Sequence, residues 1–442
     1  MRARQSEATL RSLSLLGVTA LVTAVLLLSC RGEPPASSGP DTLARLVDSL
    51  RAPVERATGL QFKSPPRSAL RTREQVRAYL IRKLDEELPS PRMRGLETAY
   101  QLFGLLPDTL QLRALLLDLY TEQVAGYYDP DSATLFGVAG ADPAQLKLVL
   151  AHEMVHALQG QYLPLDSILK ETSNNDRLTA AQAVLEGQAT LVSIDALASG
   201  QNVSNNPEFW EMYREQVRQQ QTSMPVFARA PLVVREALIF PYLAGAEFMH
   251  WWESSPFRDS VPYGPRMPVS TEQILSPDRY ARHDVPVALE FPADSGVLYE
   301  DVLGESEIRV LMARLAEADE VRIAIPIGWG GDRYRVYGTP TGPALVWYIV
   351  WDDKRSAERF TWGYGGKLRS TTRKAYRTVL ENFELEGKPA TRYVLAPEGW
   401  EGWGDVPRVR VEDGEGRNVF PVKTHASRCR SAARPARRPA CR

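Results

Sequence analysis

The sequence predicts an α+β protein, and three observations carry that prediction. Apolar residues recur with the helical period through most of residues 42–275; strand-like runs are confined to a short stretch before residue 140 and to the C-terminal third; Gly, Pro and Asp punctuate the intervals. At 442 residues and 44% apolar content the chain can bury a sizeable core. Its 53 Lys and Arg against 54 Asp and Glu leave no global charge that argues for a nucleic-acid partner.

Taken in order, Arg2, Arg4 and Arg11 precede an apolar run over 13–28 that is too short for a spanning helix and suits a secretory signal over 1–29. Residues 30–41 are rich in Pro, Ser and Gly and read as a flexible tether. Helical patterns follow at 42–57, 72–87, 92–105 and 109–126. Residues 60–64, cut off by Pro65-Pro66, are expected as a short strand. Residues 123–128 and 134–138 flank Asp129-Pro130-Asp131-Ser132 and predict a hairpin.

The next helix carries the most specific signal. Asp142-Pro143-Ala144-Gln145 reads as a start, with Asp142 as N-cap and Pro143 at the first position. Leu146, Val149, Leu150, Val155 and Leu158 then form an apolar stripe, while His152 and His156, four apart, share a neighbouring face and can chelate one metal ion. Glu153 sits beside that ion's open position. A catalytic zinc needs a third protein ligand. The helix predicted over 179–199 opens on Thr-Ala-Ala-Gln, stops at Gly200 and holds Glu186, whose small neighbours Ala183 and Gly187 permit close approach to the histidine helix. Glu186 is the chosen ligand; Asp166, Glu171 and Asp176 compete from a polar stretch that reads as a loop. Further helical segments are expected at 208–221 and 240–252, and Ser270-Thr271-Glu272-Gln273-Ile274-Leu275 reads as a capped helix start.

Beyond residue 320, segments 333–337, 344–351, 391–396 and 408–411 read as strands, and 356–363 and 370–382 as helices, giving a small α+β domain over 321–422. The tail over 423–442 has seven Arg and Lys, two Pro and no apolar period, and holds Cys429 and Cys441, so no packed structure is expected there. A body without cysteine does not depend on disulfides.

His152, Glu153, His156 and Glu186, within a Glu-Gly-x-Ala stretch, resemble the gluzincin type of zinc metallopeptidase. The wording of Glu122-Gln123-Val124-Ala125-Gly126-Tyr127-Tyr128-Asp129-Pro130, of the histidine helix, of Ser270 to Leu275 and of Gly330-Gly331-Asp332-Arg333-Tyr334 is similar to a family of uncharacterised bacterial metallopeptidase-like proteins, over roughly residues 60–411. The resemblance implies a zincin-like catalytic domain over 42–320, a small mixed sheet plus helices, with the strand over 134–138 as the sheet edge that grips an extended peptide substrate by β-augmentation. It also implies zinc-dependent peptide hydrolysis, in which Glu153 takes the proton of a zinc-activated water. A donor to the oxyanion is expected from outside the motif, with His250 and Tyr242 as candidates. One departure stands out: gluzincins commonly place Asp four residues after the third ligand, to orient a histidine, and this chain has Thr190. A zinc-containing scaffold with a vestigial peptidase fold is the alternative, which the presence of Glu153 disfavours because a structural zinc needs no base.

Leu27-Leu28-Ser29-Cys30 resembles the bacterial lipoprotein signal, which implies lipidation of Cys30 and an anchor in the cell envelope facing the periplasm; Arg31 after the cysteine resembles outer-membrane sorting. Each acyl methylene contributes roughly 0.8 kcal/mol of membrane affinity, so a multiply acylated cysteine anchors the chain stably. Cys30→Ser should therefore abolish incorporation of a fatty-acid analogue in labelled cells and alter processing; a soluble, unlabelled wild type with its N-terminus elsewhere would overturn the reading.

Overall fold

The structure, a computed structural model, describes residues 40–165, 168, 174–198, 203–318, 321, 327–370 and 373–412. The expected signal, Cys30, the tether before Pro40 and the tail with Cys429 and Cys441 lie outside these residues, as do Asp166, Glu171 and Gly200. Helix and sheet are mixed, as an α+β chain requires. Among the described residues no helix is long and apolar enough to cross a membrane.

A three-stranded sheet comes first, in the order β1-β3-β2, from β1 (Arg67–Arg71), β2 (Gly126–Asp129) and β3 (Thr134–Val138). β1 lies after Pro65-Pro66, not over 60–64. A proline can precede an edge strand without costing a ladder bond, and the parallel register Arg67↔Thr134 to Arg71↔Val138 fixes the strand there. β2 and β3 form the expected hairpin, Asp129 opposite Thr134. β3 is central, however, so the edge beside the site is β2. The helix Pro40–Thr58 lays Leu43, Val47, Leu50 and Val54 against the layer behind this sheet, a stripe at helical spacing.

The second sheet is antiparallel, in the order β5-β6-β7-β9-β8, from β5 (Val297–Asp301), β6 (Trp329–Tyr337), β7 (Ala344–Trp351), β8 (Tyr376–Leu385) and β9 (Lys388–Pro397). A two-stranded pair, β4 (Leu289–Glu290) with β10 (Arg410–Val411), flanks it. The sheet takes its first strand from before residue 321. Residues 376–382 are strand where a helix is expected, because Glu386 and Gly387, at φ 50° and 80°, make a two-residue hairpin turn that pairs Leu385 with Lys388 and zips β8 onto β9.

One apolar cluster runs from the helices over 73–123 into this second sheet, with Phe103 edge-on to Tyr334 and Trp347 at 5.2 Å each. A buried acidic junction ties the two together. Asp332 accepts from Leu303 N–H, Gly304 N–H and the indoles of Trp329 and Trp347 at 2.9–3.0 Å. Asp301 accepts from Asn175 N–H at 2.8 Å and lies 3.4 Å from Arg92. Glu307 accepts from Tyr100 at 2.6 Å and from the Asn175 amide at 2.8 Å. Asp176 accepts from Thr271 N–H at 3.0 Å and from the Thr271 hydroxyl. Gly304, at φ +72°, is required here: a Cβ would fall 1.9 Å from Asp176 Oδ1. Thr271 and Asp332, from motifs that carry the family resemblance, thus serve this junction.

Burial, with Asp332 and Glu305 nearby, pushes Asp176 up to about 8, against the Thr271 hydrogen bonds; burial, with Asp301, Asp332 and Asp176 nearby, pushes Glu307 up to about 8, against the Tyr100 hydrogen bond. The folded protein therefore holds protons that the unfolded chain releases near pH 4, and the stability these groups contribute is lost as pH rises from about 4 towards 8. Thermal unfolding should show Tm falling between pH 5 and pH 8.5, and Glu307→Gln should flatten that slope; a Tm rising across this interval in both proteins would contradict the assignment.

Candidate metal centre

Three helices build the site. The histidine helix (Pro143–Tyr162) begins at Asp142, whose carboxylate accepts from Gln145 N–H at 2.9 Å. The glutamate helix (Asn175–Leu197) begins a turn earlier than the sequence suggests: Asn174 caps Arg177 N–H at 2.9 Å, while the Thr179 hydroxyl bonds back to Asn175 O at 2.8 Å as an interior residue. The tyrosine helix is Leu232–Ser254.

His152, His156 and Glu186 converge. His152 Nε2 lies 3.0 Å from both His156 Nε2 and Glu186 Oε2, and His156 Nε2 lies 3.3 Å from Glu186 Oε2. Four tetrahedral ligands bound at about 2.0–2.1 Å stand roughly 3.3 Å apart, so this triangle matches three corners of such a shell. These three residues are the group among the described ones whose donor atoms gather closely enough to hold an ion, and each is buried. Two imidazoles and one carboxylate suit a borderline divalent metal.

The protein's own charges fit that use. Burial holds His152 down to about 4. At His156 burial opposes protonation, yet the Glu186 and Glu153 carboxylates outweigh it and raise the imidazole to about 9. At Glu186 burial is outweighed by the same imidazoles, which draw the carboxyl down to about 2. One proton is thus shared by the trio around His156, and a cation bound there would displace it.

A glutamine orders the ligands from behind. Gln159 Oε1 sits 2.9 Å from His156 Nδ1, and its amide donates to Leu185 O at 3.1 Å and Gln188 Oε1 at 2.9 Å. Tyr263 donates its hydroxyl to the same Gln188 oxygen. Gln159 alone of these meets the His156 ring, with Gln188 and, through it, Tyr263 holding the glutamine in place, an arrangement that would leave Nε2 to an ion. Thr190 does not share this task, because its side chain pairs with the Tyr213 hydroxyl. Sequence reasoning missed Gln159, although its spacing of three from His156 places it on the ligand face; Gln188 and Tyr263 gave no local signal.

Glu153 is fully buried, and its Oε2 accepts from Tyr128 N–H of β2 at 2.7 Å, so the sheet edge aims the carboxylate. Tyr242 is buried with its ring 6.0 Å from that of His152. His250 is not part of this group: it lies against Trp210 at 5.5 Å, eight residues beyond Tyr242, or about 12 Å along the helix. Asp176, ten residues before Glu186, belongs to the acidic junction and not to the metal ligands. Gly187 also has a different partner from the expected one. A Cβ there would lie 2.1 Å from the Gly245 carbonyl carbon, and one on Gly245 would lie 2.0 Å from Ala183 O, so the small residues admit the tyrosine helix and not the histidine helix.

A family described as a domain of unknown function (DUF8575) matches residues 295–426, the part that contains the second sheet and lies outside the three helices of the site. No curated protein and no solved structure matches the chain.

If the trio holds a divalent ion, Gln159→Leu should weaken its binding roughly 10–100-fold in a chelator competition while leaving the circular dichroism unchanged, because it removes the acceptor that orients His156. Thr190→Val should leave the affinity within a few fold; the reverse ranking would refute the glutamine's role.

Proposed function

We propose that the protein is a zinc-dependent peptide hydrolase, with a zincin-like catalytic unit built from β1–β3 and the three site helices, carried on the cell envelope by a lipidated Cys30. The observation that carries this reading is the convergence of two imidazole nitrogens and a carboxylate oxygen within 3.3 Å, with a buried glutamate next to the first histidine. His152, His156 and Glu186 would hold the ion, which supplies Lewis acidity and lowers the pKa of a water to roughly 7.

The chain's own groups divide the remaining work. Glu153, aimed by the Tyr128 amide, accepts a proton from the attacking water and returns it to the leaving amine. Tyr242, beside His152, is the nearer of the two residues considered for oxyanion stabilisation. β2 is the edge strand beside Glu153, and because its residues are buried and its Tyr128 amide is held by Glu153, an extended peptide backbone would pair along it only once the groups covering it move.

A second reading has one observation in its favour. His152, Glu153, His156 and Glu186 are each no more than 5% exposed, the degree of enclosure typical of a structural zinc. Activity separates the two. The purified protein should bind about one zinc per chain, and Glu186→Ala should lose it. Glu153→Gln should keep the zinc and lose hydrolysis of a denatured protein by about 100-fold or more. Zinc retained in wild type and Glu153→Gln with no turnover in either would favour the scaffold.

A further inference from the structure

A cavity of about 820 Å³ opens in the C-terminal part, between the helix Gly304–Leu315, the helix Lys354–Ser370 and the second sheet. Its volume falls within the roughly 300–1,000 Å³ of small-molecule sites. Met312, Ile327, Trp351, Phe360 and Tyr364 give it an apolar interior. At its back Arg309 is buried and already chelated by Glu305 through Nε at 2.8 Å and through Nη2, so it adds no free charge.

The mouth has a different character. Arg359, Gly363 and Lys367 line the cavity from one helix at a spacing of four, so they share a face, with two cations flanking a residue that has no side chain. Arg359 bonds the Ser356 hydroxyl at 3.0 Å, and Lys367 approaches an exposed Glu317 at 3.9 Å. The glycine is the informative part. Gly365 of the same helix is required by packing, since a Cβ there would meet Leu380 at 2.7 Å. On Gly363 and Gly366 a Cβ would meet nothing within 4 Å, and neither has a positive φ. Glycine is among the poorest helix formers, so its presence at Gly363 weakens the helix without any internal packing reason. What it does provide is an open notch between two cations, leading into an apolar space.

We propose that this cavity binds an amphipathic organic anion, a dissolved single-chain carboxylate whose tail fills the apolar interior and whose head lies in the notch between Arg359 and Lys367. Complementary charge and an apolar depth select for both ends of such a molecule, and neither end alone satisfies the site. The site is separate from the metal centre and lies within the residues matched by the family of unknown function.

Calorimetric titration of the purified protein with dodecanoate below its micelle concentration tests this. Saturable binding of one dodecanoate per chain is expected, with no binding of dodecyltrimethylammonium, which has the same chain and the opposite charge. The surface double variant Arg359→Ala/Lys367→Ala should bind at least tenfold more weakly, and Gly363→Phe should abolish binding by filling the notch. Gly363→Ala should raise Tm, as a glycine without a packing role predicts. The proposal is overturned by equal uptake of the cationic amphiphile, by binding that survives Gly363→Phe, by a lowered Tm for Gly363→Ala, or by the absence of saturable binding. A response only to phosphatidylglycerol vesicles and none to dissolved dodecanoate would also overturn it.

Discussion

One buried carboxylate governs the candidate metal centre. An unpaired ionised glutamate in the interior costs several kcal/mol, of order, so Glu186 is tolerable only where positive charge or strong donors meet it. His152 and His156, presented by successive turns of one helix, meet it at 3.0 and 3.3 Å. The consequence is a set of lone pairs pointing at one another. Such convergence is unfavourable for neutral imidazoles beside a carboxylate, is relieved in part by the proton held around His156, and is relieved more fully by a divalent cation. Tight placement of the glutamate helix follows from glycine. The backbone contact of Gly187 with Gly245 pins the helix from the opposite side, and Gln159 and Gln188 fill the space between it and the histidine helix with hydrogen bonds.

The same helix serves a second load at its other end. Its first residues, Asn175 and Asp176, are held by Asp301, Glu307 and Thr271, which belong to the second sheet and the segments leading into it. Some 15 Å of helix separate Asp176 from Glu186, so one rigid rod joins the acidic junction to the candidate metal ligands. This gives the C-terminal part a structural role in the site without any contribution of a ligand. It also gives Thr271, within Ser270 to Leu275, and Asp332, within Gly330 to Tyr334, a part in the site from a distance, because both organise the junction.

The candidate metal centre and the C-terminal cavity differ in enclosure. At the candidate centre His152, His156 and Glu186 are buried and meet one another across two helices, which favours fixed geometry. At the cavity mouth a helix carries glycine where alanine would be more stable and leaves its cations near water, which favours an opening.

The sequence by itself determined what local spacing can encode. The four-residue interval of His152 and His156, the Asp142 cap and the hairpin around Pro130 follow from helical period, backbone capping and turn chemistry, each complete within a few residues. Glu186 is expected from small neighbours that in the fold pack against Gly245 of another helix, so its place beside the histidines is a tertiary result. Tertiary structure decided whatever depends on a partner distant in sequence. It placed β3 at the centre and β2 at the edge, because strand order is set by pairing with β1 some sixty residues earlier. It turned residues 376–382 into strand, since the β9 ladder outweighs local helical pattern. It moved His250 away to Trp210 and assigned the orientation of His156 to Gln159, Gln188 and Tyr263, because a hydrogen bond between segments has no local sequence signature: only packing brings its donor and acceptor together.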